Sequence, residues 1–402
     1  MRILYTATAF YPSIGGAQLH WYMIARQFVQ KGHFVKVFSQ WRDHHNKWLL
    51  DSTVLAPRYE GQYTTDGVHV HNLQPRMWQR LVLVPFLPTY FLLPELSIPA
   101  ISKMFQTKLK SLCEDVDLIH NVRIGREPLS WASYEMAKKK NVPFFITPNY
   151  SPRMRSLLGA MVLRKFFQLL RKSDGVFVFT EDEKQEMLNL GVDENKIFVI
   201  GLGPLLNENA DAEGFKRQYG IKDRMILFLG QKLHYKGYDT LLEAATRVWR
   251  DFPETSFVFM GPHHGKSIKL LQAAKNSRVI DIPGVDPFDP LKSSALAASD
   301  ALVVPSRQEG IGGVYIEAWA HAKPVIGCDI PFVRDVVDNG KDGFLVQQSP
   351  ADVAEKIVWL LANPAKAAQM GNLGKEKIGT KYNWTTVVGD IANSYERVLS
   401  GR

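Results

Sequence analysis

Residues 305–326 read Pro-Ser-Arg-Gln-Glu-Gly-Ile-Gly-Gly-Val-Tyr-Ile-Glu-Ala-Trp-Ala-His-Ala-Lys-Pro-Val-Ile. A short apolar run, Ala301–Val304, precedes this stretch, and a second one, Pro324–Gly327, closes it. The pattern is strand, glycine-rich turn, helix, strand, which is the repeating unit of a parallel sheet. Gly310, Gly312 and Gly313 allow a ligand to approach the backbone closely. The start of the helix then offers free N–H groups and a positive dipole end to a phosphate. Glu309 lies before the helix and Glu317 inside it, with seven residues between them. Carboxylates at that spacing can hold two parts of one extended ligand, and each oxygen accepts a hydrogen bond from a sugar hydroxyl.

The same alternation extends outward in both directions. Upstream lie Met225–Gly230, Ser256–Gly261 and Val279–Ile282, and downstream lies Gly343–Val346, each a short apolar run as a strand buried on both faces requires. Gly230-Gln231-Lys232-Leu233-His234-Tyr235-Lys236-Gly237 follows the first of these strands. Lysines at the carboxyl end of a strand in an open α/β sheet suit a diphosphate; alone, they equally suit a solvated loop. The amino-terminal half repeats the plan. Ile3–Ala9 is a strand, Gly15-Gly16 lies in the loop, Leu19–Gln30 has helical spacing, and Phe34–Ser39 is the next strand. Leu118–His120, Phe144–Thr147, Val176–Thr180 and Lys196–Ile200 follow. The expected parse is residues 1–204 as one Rossmann-like domain, 205–381 as a second, and 382–402 as a terminal helix.

The chain has 402 residues, enough for two cores. Its two cysteines, Cys113 and Cys328, exclude a disulfide scaffold, and no Cys/His cluster has zinc spacing. The net charge of +9 points to an anionic partner or to a solvated basic surface. Two segments bear on that choice. Leu81–Ile101 is apolar, but Pro85, Pro88, Pro94, Pro99 and Glu95 argue against a spanning helix. It reads either as a rim segment of the first domain or as an element dipping into a bilayer interface. Ser151–Ser173 carries Arg153, Arg155, Arg164, Lys165, Arg171 and Lys172, with no acid and with an apolar side. It reads either as a membrane-surface helix or as a domain helix showing its basic face to water. Nucleic acid is not expected, because no stacking platform or recognition-helix motif accompanies the charge. Asp115-Val116-Asp117 spells a metal-binding tripeptide but sits at a strand start, so no metal is expected.

Taken together, these residues resemble the retaining nucleotide-sugar glycosyltransferases of family 4. Glu309 to Glu317 matches that family's E-x7-E motif, and Pro305-Ser306…Glu309-Gly310 and Lys323–Ile326 match its surroundings. Thr180–Gly203 resembles the end of the family's first domain, Tyr11-Pro12 with Gly15-Gly16 its glycine loop, and Tyr382-Asn383-Trp384 the start of its last helix. The resemblance covers nearly the whole chain. It implies the α/β GT-B architecture: two facing Rossmann-like domains with parallel sheets and a C-terminal helix crossing back to the first.

The resemblance also implies roles. Lys236 would neutralise the donor diphosphate, with Gly15 and Gly16 meeting the same phosphates. Glu309 would hold donor-sugar hydroxyls, with Gly310, Ile311, Gly312 and Gly313 beside it, and Glu317 the ribose. Gly284 and Val285 would lie along the base pocket. Gln231 stands where the family usually has an arginine, and Lys232 is the candidate replacement. His120 matches one histidine of the family's first domain and is the candidate third catalytic residue beside Glu309 and Lys236. Arg123, Arg126 and Asn149 fall on the acceptor side, where the family usually has histidines near 122 and 149. The implied reaction moves a hexosyl group from a UDP- or GDP-hexose to a hydroxyl of a lipid-linked or polysaccharide acceptor, with retention and without a cofactor. The expected location is the cytoplasm, peripheral to an anionic inner membrane face. The alternatives are a non-catalytic nucleotide-sugar-binding protein and an NAD-type oxidoreductase. The latter lacks Gly-x-Gly-x-x-Gly after the first strand.

Overall fold

The structure is a computed structural model and describes residues 1–13, 15–41, 61–72, 77–86, 88–90, 92–123, 127–149, 160–309 and 312–401. It divides into two compact units. The first is Met1–Ile200 with Val388–Arg402, and the second is Gly201–Val387.

The first unit contains β1 (Arg2–Ala9), α1 (Gly16–Gln30), β2 (Phe34–Trp41), β3 (Gln62–Thr65), β4 (Val68–Asn72), α2 (Met77–Leu83), α3 (Pro94–Leu112), β5 (Leu118–Val122), α4 (Glu127–Lys140), β6 (Phe144–Thr147), α5 (Ala160–Lys172), β7 (Gly175–Val178), α6 (Glu181–Asn189) and β8 (Ile197–Val199). Its sheet runs β3-β4-β2-β1-β5-β6-β7-β8. All neighbours are parallel except β3 with β4. From Ile3 onward every residue of β1 is buried, because helices cover both faces of the central strands. Thr180 opens α6: its side chain accepts from Glu183 N–H at 3.1 Å, while the Glu183 carboxylate accepts from Phe179 N–H at 2.6 Å. That exchange satisfies two backbone donors at a helix start.

The β3–β4 hairpin is not among the expected strands. Its signal is Asp66-Gly67, both with positive φ (45° and 76°), the two-residue turn that matches strand twist. The apolar segment 81–101 resolves into α2, two 3₁₀ turns and the start of α3. Pro94 begins α3, where a missing N–H costs nothing, and the exposed Pro99 is absorbed within the helix.

The second unit contains α7 (Ala212–Gln218), β9 (Met225–Leu229), α8 (Tyr238–Val248), β10 (Ser256–Met260), α9 (Ser267–Ala273), β11 (Val279–Ile282), α10 (Pro290–Ala298), β12 (Ala301–Val304), α11 (Gly313–Ala320), β13 (Val325–Cys328), α12 (Pro331–Arg334), β14 (Gly343–Val346), α13 (Pro350–Ala362) and α14 (Pro364–Thr380). The sheet is parallel throughout, in the order β11-β10-β9-β12-β13-β14. The last helix, α15 (Trp384–Ser400), starts in the second unit and belongs to the first from Val388 onward. Val387, Val388, Ile391 and Tyr395 form its fully buried stripe. Within the first unit Tyr395 packs on Phe145 at 4.7 Å, and Arg397 donates to Asn195 O at 2.6 Å.

Candidate functional site

In the second sheet the chain runs outward from β9 through β10 to β11, then returns to place β12 on the other side of β9. This reversal of strand order makes a crevice at the carboxyl ends of β9 and β12, where open α/β sheets bind ligands. The loop after β9 is Gly230–Gly237, and the loop after β12 begins at Pro305.

The two loops are locked together. Tyr235 O accepts from Arg307 N–H at 2.8 Å, and the Gln348 amide donates to Pro305 O at 2.6 Å. Gly237 is in the left-handed region (φ 77°), and a Cβ there would sit 2.4 Å from Pro305 O. Only glycine meets both demands. The result brings Lys236 and Glu309, 73 residues apart, into an ion pair of 2.8 Å between Nζ and Oε2. Both side chains are mostly buried, at 20% and 6% exposure. The second carboxylate oxygen, Oε1, is buried with no hydrogen-bond partner among the described residues. A charged acceptor of that kind is costly to leave unsatisfied and is poised for a ligand hydroxyl.

The helix α11 starts beside this pair. Gly312 takes a left-handed conformation (φ 60°) at its N-cap, with no side-chain cap, and the site of a Cβ on Gly313 faces open space. The N–H groups of Gly313 and Val314 lead the helix and suit an anion, while that of Tyr315 bonds back to Gly312 O at 3.1 Å. Tyr315, buried at the centre of α11, donates to Val304 O at 2.9 Å and ties the helix to β12. Glu317, about one turn from the start of α11, is also buried. Burial pushes its carboxyl above the usual carboxylate range, against the opposing pull of Lys292 and of the Leu205 N–H. Gly284 (φ 151°) and the half-buried Val285 follow β11, and Gln231 is half-buried at the start of the β9 loop.

Three of the expected site residues are engaged within the protein. Lys232 is fully buried, and its ammonium meets Asp281 Oδ1 (2.7 Å), Gly261 O (2.6 Å) and Ile282 O (2.8 Å). His120 is fully buried in β5, between Tyr395 OH (2.6 Å from Nδ1) and Thr147 Oγ1 (2.9 Å from Nε2). Burial holds its imidazole well below the ordinary histidine range, so it stays neutral. The buried guanidinium of Arg123 lies 3.9 Å over the Phe166 ring and donates to Pro148 O. Asn149, with φ 42°, donates to Arg123 O at 3.0 Å. Gly15 and Gly16 form the start of α1 at the carboxyl end of β1. Arg126, Gly310 and Ile311 lie outside the described residues, as do Arg153 and Arg155.

Sequence reasoning missed Lys292. It sits on α10, buried, 3.1 Å from Glu317 Oε2 and 2.6 Å from Leu205 O. In the sequence it is one lysine among 49 basic residues, with no motif to mark it.

Two family models match the chain, one over each unit. Residues 14–203 match "Glycosyltransferase Family 4" and residues 211–377 match "Glycosyl transferases group 1". The chain carries the two domains of a GT-B glycosyltransferase. Solved GT-B folds agree over almost the whole length. HepE of Anabaena, solved with UDP-glucose, superposes with a TM-score of 0.72 at 18% identity, covering 99% of this chain and 100% of that one. Sucrose-phosphate synthase of Thermosynechococcus elongatus gives 0.74 at 17% identity, with both chains covered completely. By sequence, a D-inositol 3-phosphate glycosyltransferase of Geodermatophilus obscurus is 27% identical over 286 residues, 67% of this chain and 61% of the relative. The chain thus spans less than two thirds of that curated relative's length.

Proposed function

We propose that the protein transfers a hexosyl group from a nucleoside-diphosphate hexose, UDP- or GDP-linked, to a hydroxyl of a lipid-linked or polysaccharide acceptor, with retention at the anomeric carbon. The observation that carries this reading is the Lys236–Glu309 pair at the β9/β12 crevice, with one buried carboxylate oxygen still unsatisfied. Lys236 and the N–H groups of α11 stabilise the diphosphate as the anomeric C–O bond breaks and charge grows on the leaving oxygen. Glu309 Oε1 accepts a donor-sugar hydroxyl, and Glu317 accepts the ribose hydroxyls. The acceptor oxygen attacks the face the diphosphate leaves, and its proton passes to a departing phosphate oxygen. Glu309 is not assigned as a nucleophile; in this reading its Oε1 holds a sugar hydroxyl rather than the anomeric carbon. HepE, which shares the fold, has been solved with UDP-glucose and with UDP and glucose, which supports a UDP-hexose as the first donor to try. Mass spectrometry of products from a panel of donor sugars and lipid-linked, polysaccharide and inositol phosphate acceptors tests the proposal. Hexosyl transfer supports it. Nucleotide binding with neither transfer nor donor hydrolysis would favour a non-catalytic binding protein.

We further infer that the first unit meets a bilayer surface through the segment 78–96 rather than through the basic helix. No helix among the described residues is long and apolar enough to cross a membrane. Val162, Leu163, Phe166, Leu169 and Leu170 of α5 are buried in the core, so this helix does not carry a free apolar side. Lys165 of α5 pairs with Glu95 of α3. The exposed apolar side chains are instead Trp78, Leu81, Val82, Val84, Leu92, Leu93 and Leu96. Exposed patches of this kind mark interaction surfaces. The Glu95–Lys165 pair places them next to the basic helix, whose Arg164 remains exposed. Leu81→Ser with Leu96→Ser should abolish co-sedimentation with anionic vesicles. Unchanged sedimentation would refute the assignment.

A further inference from the structure

Glu317, Lys292 and the peptide group of Leu205 form a closed ring. Lys292 Nζ lies 3.1 Å from Glu317 Oε2 and donates to Leu205 O at 2.6 Å, while Leu205 N–H donates to the Glu317 carboxylate. Both charged side chains are only 6% exposed. Leu205 belongs to the segment that leads the chain into the second unit. That segment is fastened to α10 at two more points: Asn207 N–H to Ser293 Oγ and Asp211 N–H to Ser294 Oγ, each 2.9 Å. One helix therefore holds both the donor-site glutamate and the incoming chain.

A carboxylate has about four acceptor sites. In this ring one is taken by Lys292 and one by Leu205 N–H, which leaves two for a pair of vicinal hydroxyls. A buried carboxylate without its cation would take up a proton instead, which turns one of those acceptor sites into a donor. We propose that Lys292 is a positioning residue for donor recognition: with the Leu205 peptide it locks the Glu317 carboxylate, so that ribose binding and the order of the 204–209 segment rise and fall together. The proposal rests on the reading of Glu317 as a ribose ligand. Lys292 acts through Glu317 and does not itself touch the reacting atoms.

The test combines calorimetric titration of UDP and GDP with amide hydrogen exchange. In the wild-type protein the tighter-binding nucleotide should slow exchange at Leu205 severalfold, because a liganded carboxylate holds its N–H donor more firmly. Lys292→Met should weaken that nucleotide at least tenfold and abolish the exchange response, while raising the donor KM more than it lowers kcat. Lys292→Arg, which keeps the charge and the donors, should restore most of the affinity. Wild-type nucleotide binding with no exchange response at Leu205 would overturn the proposal even if Lys292→Met failed to fold. Equal nucleotide affinity in wild type and Lys292→Met would also overturn it, leaving the donor-site reading standing. Failure of the wild type to bind either nucleotide would remove the functional reading and this proposal with it.

Discussion

Each sheet carries a polar side chain that looks catalytic, one within a central strand and one in the loop after a central strand, and the two differ in what surrounds them. His120 in β5 has both ring nitrogens hydrogen-bonded and aromatic rings around it, with Trp21 at 4.4 Å and Phe177 stacked at 5.0 Å. Glu309, after β12, has one oxygen paired with Lys236 and the other buried with no partner among the described residues. The first group has nothing left to offer a substrate, whereas the second lacks a partner that a substrate can supply. Both are polar residues at motif positions. Satisfaction of the polar atoms is what separates a fold element from a binding site.

The largest effect should come from Lys236. If it stabilises the leaving diphosphate, Lys236→Ala should lower kcat by about 10²–10³-fold, the scale of losing one electrostatic donor. A kcat near wild type would mean that another cation does this work. Glu309→Gln keeps the shape but loses the charge, and it should cost about 1.5–3 kcal/mol of donor-sugar interaction. That corresponds to a loss of roughly ten- to hundredfold in kcat/KM for the hexose donor, and a smaller loss in affinity for the bare nucleotide. An equal loss for both would place Glu309 on the nucleotide rather than on the sugar.

His120 should behave in the opposite way. His120→Ala leaves a cavity and takes a partner from two buried hydroxyls, Thr147 Oγ1 and Tyr395 OH, of which Tyr395 keeps Tyr5 OH at 3.3 Å; this should cost about 3 kcal/mol of stability. At a temperature where the variant is folded, kcat should stay within about threefold of wild type, well inside the spread of effects expected of a residue remote from the chemistry. A hundredfold fall in kcat with stability intact would restore a catalytic role. The two groups also differ with pH. Burial raises the Glu317 carboxyl above its usual value of 4.5, so nucleotide affinity should fall on acidification at a higher pH than an ordinary glutamate would give. Glu317→Gln should flatten that limb. In the first unit the buried imidazoles are held low, His20 down to about 3 and His120 also well below 6.5. A depressed pKa means that the unfolded chain binds more protons below pH about 6.5, so each such histidine removes up to about 1.4 kcal/mol of stability per pH unit below that point. Urea titrations between pH 7 and pH 5 should show this loss, and His120→Phe should make it shallower.

The alternating plan was legible because parallel strands buried on both faces read as short apolar runs, as in Met225–Leu229 and Ala301–Val304. Glu309, Lys236 and Glu317 were legible as motif positions. Their contacts were not, since the 2.8 Å pair joins residues 73 apart and depends on β9 and β12 being neighbours in the sheet. Lys232 and Lys236 look alike in Gly-Gln-Lys-Leu-His-Tyr-Lys-Gly. What separates them is the isolated bridge from Lys232 to His263, which turns the first ammonium inward to Asp281. The apolar face of α5 was visible in the sequence, but which partner covers it is a tertiary fact. Asp66-Gly67 marked a hairpin in plain sight, overlooked because the flanking strands are short and rich in Thr and His.

The central claim is that the β9/β12 crevice binds a nucleoside-diphosphate hexose through Lys236 and Glu309. Calorimetric titration of UDP-glucose, GDP-mannose and NAD into the wild type and into Lys236→Ala tests it most directly. The account predicts saturable binding of one of the two sugar nucleotides to the wild type, at least tenfold weaker binding to Lys236→Ala, and no binding of NAD. Binding of NAD alone, or sugar-nucleotide binding of equal strength in both proteins, would contradict it.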